Sequence, residues 1–77
     1  MKLRIVVTLK NGVLDPQGKA IEHALAGLGF HGVDQVRTGK IFEIDVADDT
    51  SDGQIDEMCR KLLANTVIEN YRVERVS

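Results

Sequence analysis

One cysteine, one proline, three aromatic side chains and no tryptophan are scattered over 77 residues. The lone Cys59 excludes an intrachain disulfide and gives no sign of an oxidising compartment. No apolar run approaches the roughly 20 residues that span a bilayer. The opening Met1-Lys2-Leu3-Arg4-Ile5-Val6-Val7 alternates charged and apolar residues where a signal peptide would build an apolar block. A soluble, cytoplasmic protein with no membrane partner is expected. With Phe30, Phe42 and Tyr71 as the only aromatics, the chain lacks the rings on which single-stranded nucleic acids stack.

Positive charge is in no excess either. Lys+Arg 10 against Asp+Glu 12 gives a formal net charge of -2, which speaks against a duplex nucleic-acid binder. Residues 1–77 make one domain with room for only a small core, and domains of this size often gain stability by oligomerising.

Local pattern supplies the elements. Leu3, Ile5, Val7 and Leu9 alternate with Lys2, Arg4, Thr8 and Lys10, the period of a half-buried strand. Asn11-Gly12 marks a turn that leads out of it. Asp15 and Pro16 then fit the cap and the first helical position: the carboxylate can accept a first-turn N–H, and proline's missing N–H has no partner to lose. Gly18 is a poor helix former, and its presence in the first turn points to another backbone or a partner surface coming close. The helix is expected from about Pro16 to Leu28, with Ala20, Ile21, Ala24, Leu25 and Leu28 on one stripe and alanines small enough to sit against a sheet. Gly29 is placed as a left-handed cap, with Phe30 packing over the helix end.

Val33 to Val46 is the second extended region, Phe42, Ile44 and Val46 sharing one face. Gly39 either bends one long strand or turns a hairpin; Thr-Gly is not a preferred two-residue hairpin loop, which favours the bend. Ile55, Met58, Cys59, Leu62 and Leu63 follow the full helical spacing, and Ser51 with Gln54 forms a capping box ahead of them. The tail from Ile68 to Val76 suits an edge strand or one paired across a dimer. The fold class is therefore α+β, with an antiparallel sheet, two helices on one face and the order β-α-β(-β)-α-β.

Chemistry-bearing constellations are thin. Asp48 to Gly53 imitates the start of a calcium loop, but its twelfth position is Cys59 where glutamate is required. Neither His23 nor His31 has a second ligand at metal spacing, so both are read as surface residues. Gly39-Lys40 lacks the remainder of a phosphate loop. Arg37 with Lys40 could hold a phosphate, though exposed basic side chains beside a turn are common. No catalytic residue, cofactor-binding residue or metal ligand is assigned.

A larger pattern remains. Leu9-Lys10-Asn11-Gly12-Val13-Leu14-Asp15-Pro16-Gln17-Gly18, followed by Ala20-Ile21, resembles the signature of the PurS family, the small subunit of bacterial and archaeal phosphoribosylformylglycinamidine synthase. The likeness continues through Leu28-Gly29-Phe30, Val36-Arg37-Thr38-Gly39-Lys40 and Phe42-Glu43-Ile44, and closes with Lys61 to Tyr71. Thr66 and Asn70 depart from it, standing where the family pattern has proline and aspartate.

The resemblance implies a subunit of a glutamine- and ATP-dependent C–N ligase in purine biosynthesis, with no active site of its own. It implies a homodimer that bridges a glutaminase subunit and a synthetase subunit and helps ammonia pass between them; whether such dimers pair into a tetramer stays open at this point. ATP and Mg are expected on the synthetase subunit and no cofactor on this chain. Asp15, Gln17, Gly18, Arg37 and Lys40 are the partner-contact residues it suggests. Two other classes stay open at this point: an ACT-like regulatory dimer that senses a small molecule, and an acylphosphatase-type enzyme using Arg37 with Asn11 or Asn65.

Overall fold

The computed structural model describes residues 1–76. Leu3, Ile5 and Val7 place β1 (Lys2–Leu9) at the centre of a three-stranded antiparallel sheet, and all three are sealed from solvent. β2 (Gly39–Asp45) and β3 (Glu69–Arg75) pair on either side of it, in the order β2-β1-β3. The registers Ile5↔Phe42 and Ile5↔Val73 put these side chains on one face, while Arg4↔Glu43 and Arg4↔Glu74 share the other. Arg4 thus lies between two carboxylates, each 4.0 Å away, on an open polar face. The expected phase of Phe42 with Ile44 is the one found, and Tyr71 and Val73 share that face opposite Val7 and Ile5.

α2 (Asp52–Met58) starts on the expected capping box: Ser51 Oγ accepts the Gln54 N–H at 3.1 Å, and Gln54 Oε1 accepts the Ser51 N–H at 3.1 Å. It does not continue as an α-helix through Leu63. Residues Cys59–Leu63 form a π turn, closed by the Ala64 N–H on the Cys59 carbonyl at 2.8 Å. The wider turn brings Ala64 into the core with Cys59, Ile5 and Val7, and Leu63 packs against them. Leu62, expected on the buried stripe, is instead 83% exposed.

α1 (Pro16–Gly27) is the other departure. It ends in the predicted fashion: Gly29 has φ +96°, its N–H bonds to Ala26, and the Phe30 N–H reaches back to Leu25. Phe30 itself stays 59% exposed, so it covers little of the helix end. The alanine stripe does not meet the sheet; within α1 only Gly18 is buried, and the helix makes no extensive contact with any strand. The chain measures 50 × 27 × 14 Å with a radius of gyration of 15.9 Å, where a globule of this length would have about 11.5 Å. The excess length is an arm, built from α1 and the chain that returns from it.

Gly39 neither bends a long strand nor turns a hairpin. It is the first residue of β2, opposite Thr8, and residues 33–38 lie outside the ladder. The order is therefore β-α-β-α-β, in the predicted α+β class. Among the described residues no helix is long and apolar enough to cross a membrane.

Candidate assembly site at the root of the first helix

The arm leaves the sheet after Leu9 and returns to it at Gly39, so its two roots lie side by side. A turn closed by the Val13 N–H on the Lys10 carbonyl, 3.1 Å, directs the outgoing root. Gly12, at φ +86°, supplies the third-position conformation that a type II turn demands. Asp15 then caps α1: its Oδ1 accepts the Gly18 N–H at 2.8 Å. The same carboxylate reaches the returning root, where Oδ2 accepts the Thr38 N–H at 2.6 Å and Thr38 Oγ1 lies 3.0 Å from both oxygens. These bonds, the one from the Thr38 backbone foremost, hold the Asp15 carboxyl below its usual range.

Other groups reinforce the junction. Glu22 Oε1 accepts the Val36 N–H at 2.9 Å, and that bond, with Lys19 close by, lowers the Glu22 pKa. Arg37 reaches across to the outgoing root, donating to the carbonyls of Val13 at 3.0 Å and Lys10 at 3.1 Å, with Leu9 at 3.4 Å. Gly18 is the close approach that its sequence position suggested. A Cβ built there would fall inside contact distance of the Val36 carbonyl oxygen, so only glycine fits.

The five residues drawn from the family pattern thus gather at one place but divide by role. Asp15 is only 4% exposed and Gly18 is buried, so both serve the junction and offer no side chain to a partner in this conformation. Arg37 spends its guanidinium on backbone carbonyls. Gln17 and Lys40 are exposed, and line one cleft of about 500 Å³ with Asp15, Thr38 and Glu69. Lys40 also faces Glu69 at 3.9 Å and the Phe42 ring at 5.8 Å. Thr38 and Glu22 were missed as site residues. Thr38 stood within the family pattern, whereas nothing local distinguishes Glu22 from any solvated helix glutamate.

Outside the junction, reactive groups are quiet. Cys59 is fully buried, and burial foremost pushes its thiol up, away from the reactive thiolate. Tyr71 donates a hydrogen bond to Asp56, whose other oxygen accepts from Arg60 at 2.8 Å. This tie between β3 and α2 raises the tyrosine and lowers the aspartate. His23 and His31 are exposed, and among the described residues no cluster of three or more His, Cys, Asp or Glu could hold a metal ion. Apolar surface is what stands out: Leu28 at 73% exposure and Phe30 on the arm, and an open groove of about 440 Å³ beside Met58, Leu62 and Ile44.

Comparison with known proteins agrees along almost the whole chain. Residues 2–77 match the PurS family, described as phosphoribosylformylglycinamidine (FGAM) synthase. The phosphoribosylformylglycinamidine synthase subunit PurS of Bacillus subtilis (strain 168) is 49% identical over 75 residues, spanning 95% of this chain and 89% of its own. Among solved structures, B. subtilis PurS superposes with a TM-score of 0.84 at 51% identity, over 95% of this chain and 94% of that one. A chain of the structure of PurLQS from Thermotoga maritima gives a TM-score of 0.84 at 29% identity, over 97% of this chain and 95% of that one.

Proposed function

The chain belongs to the PurS family, and from that premise we propose that it is the non-catalytic small subunit of a cytoplasmic phosphoribosylformylglycinamidine synthase. As a homodimer it joins the glutaminase and synthetase subunits of that complex and keeps ammonia from escaping between them. ATP and Mg belong to the synthetase subunit. Here the only thiol is sealed in the core, and the conspicuous carboxylates tie backbone segments together.

The arm supports this reading best. A helix whose apolar stripe is uncovered by its own sheet is a marginal structure in water, because most helical stability in proteins comes from packing that stripe. Ile21 and Leu28 are exposed, and Phe30 and Val33 continue the apolar surface around the helix end. A second copy offers matching apolar surface and can cover both arms at once, as a two-fold pair requires. The groove beside Met58 and Leu62 is a separate apolar area, which would let dimers pair into tetramers or meet a larger subunit. The exposed Gln17 and Lys40 supply polar contacts beside the arm's root.

Reconstitution tests the proposal. Mixed with the two larger subunits, the chain should be required for glutamine-dependent turnover and dispensable for ammonia-dependent turnover. Alone it should release no ammonia from glutamine and hydrolyse no ATP. Turnover by the isolated chain, or full glutamine-dependent activity without it, would overturn the assignment.

A further inference from the structure

We infer that Asp15 is a positioning residue whose carboxylate, by holding the first turn of α1 to Thr38, sets the angle at which the arm leaves the sheet. It is the one buried polar side chain among the described residues, and it accepts from both roots: Gly18 N–H on the outgoing one, Thr38 N–H and hydroxyl on the returning one. Such a group is costly to bury unless every bond is made. Here the bonds cross between segments 23 residues apart in sequence, so the burial is stable in only one arrangement of the two roots. Gly18 allows that arrangement because the Val36 carbonyl occupies the space a side chain would need.

The lever arm makes the angle matter. The 12 residues of α1 extend about 18 Å, so a 10° pivot at the root moves the tip by about 3 Å. Close-packed apolar contacts do not survive a shift of that size. The importance of the angle for assembly rests on the arm-to-arm reading above; the tether itself does not.

Asparagine separates the two jobs of this side chain. Asp15→Asn keeps a cap oxygen for the Gly18 N–H, since asparagine caps as well as aspartate, but turns an amide N–H2 towards the Thr38 N–H. The helix should survive and the tether should fail. The experiment places nitroxides on cysteines introduced at His31 and Asp49, with the buried Cys59 left in place and the labelled chain diluted in unlabelled chain. Pulsed dipolar spectroscopy then reads the intrachain distance.

The wild-type background should give one narrow distribution, and Asp15→Asn one at least twice as wide, with helix content and exchange protection of β1 unchanged. If Asp15→Asn does not fold, Thr38→Val, which removes only the hydroxyl, should broaden the distribution to a smaller extent. Unchanged width in a folded Asp15→Asn, or in Thr38→Val where that variant has to serve, would overturn the inference. A broadened arm that still dimerises and supports glutamine-dependent turnover would uphold the tether and defeat the arm-to-arm reading instead.

Discussion

Ile5 and Val7 lie beneath Cys59 and Ala64 and are closed to water, while Leu28 and Phe30 stand open at the end of α1. The two regions treat their apolar stripes differently: Cys59 and Ala64 close over β1, whereas α1 buries only Gly18. In the sheet-and-α2 half, alternation along β1 and the helix stripe face each other, and the core closes within one chain. In the arm, the stripe is equally regular but has no surface of its own chain to meet. What orders the arm is polar: one carboxylate, one glutamate and one guanidinium spent on backbone groups at its root. A core that closes gives a domain; a stripe that does not close gives a subunit.

The largest expected effect falls on the closed half. Ile5→Ala should cost about 2–5 kcal/mol, the usual range for emptying a core site, and should do so at every protein concentration in urea titrations. Leu28→Ala should leave the dilute chain within about 0.5 kcal/mol of the parent, as exposed substitutions do, and instead remove the concentration dependence of stability. If both variants behaved alike, the distinction between the halves would fail. Gly18→Ala should come next, at about 1–3 kcal/mol for overpacking against the Val36 carbonyl. Hydrogen exchange should place the damage at residues 15–38 and spare β1.

A smaller effect sharpens the closed half. Tyr71 is the only tyrosine, so its ultraviolet titration reads one group. Donation to Asp56 foremost, with burial second, raises its pKa, and the midpoint should lie above the ordinary tyrosine value and fall towards it in Asp56→Asn. The aspartate's own pKa is depressed. Its contribution to stability is therefore present above the ordinary carboxylate range and lost as pH falls through the lowered value, and the same sign holds for Asp15. The smallest change is a gain. Thr66 occupies the second position of a turn closed by the Ile68 N–H on the Asn65 carbonyl at 3.0 Å, where proline is favoured. Thr66→Pro should add about 0.4–1 kcal/mol by restricting the unfolded chain.

Much of this was readable from short stretches because the causes are short-range. The Asp15 cap, the Ser51–Gln54 box, the Gly29 terminus and the strand phases each depend on residues within four or five positions. The rest depends on distant partners. Residues 36–38 look like strand, but the Asp15 and Glu22 side chains take their N–H groups and Arg37 binds the opposite root, so the ladder begins only at Gly39. The stripe through Leu62 fits an α-helix at every position, yet packing of Ala64 over Val7 and Ile5 selects the wider turn. Of the site, the residue positions were legible from the family pattern. Their division into exposed contacts and buried supports was not, because burial of Asp15 is decided by Thr38.

The most direct measurement uses a Leu28→Ser, Phe30→Ser variant added to the two larger subunits, with glutamine and with ammonia as nitrogen source. The account predicts a folded chain with unchanged strand protection, loss of dimer, and glutamine-dependent turnover reduced to the level seen without the subunit, while ammonia-dependent turnover is untouched. A variant that folds, loses its dimer and still supports full glutamine-dependent turnover would contradict it.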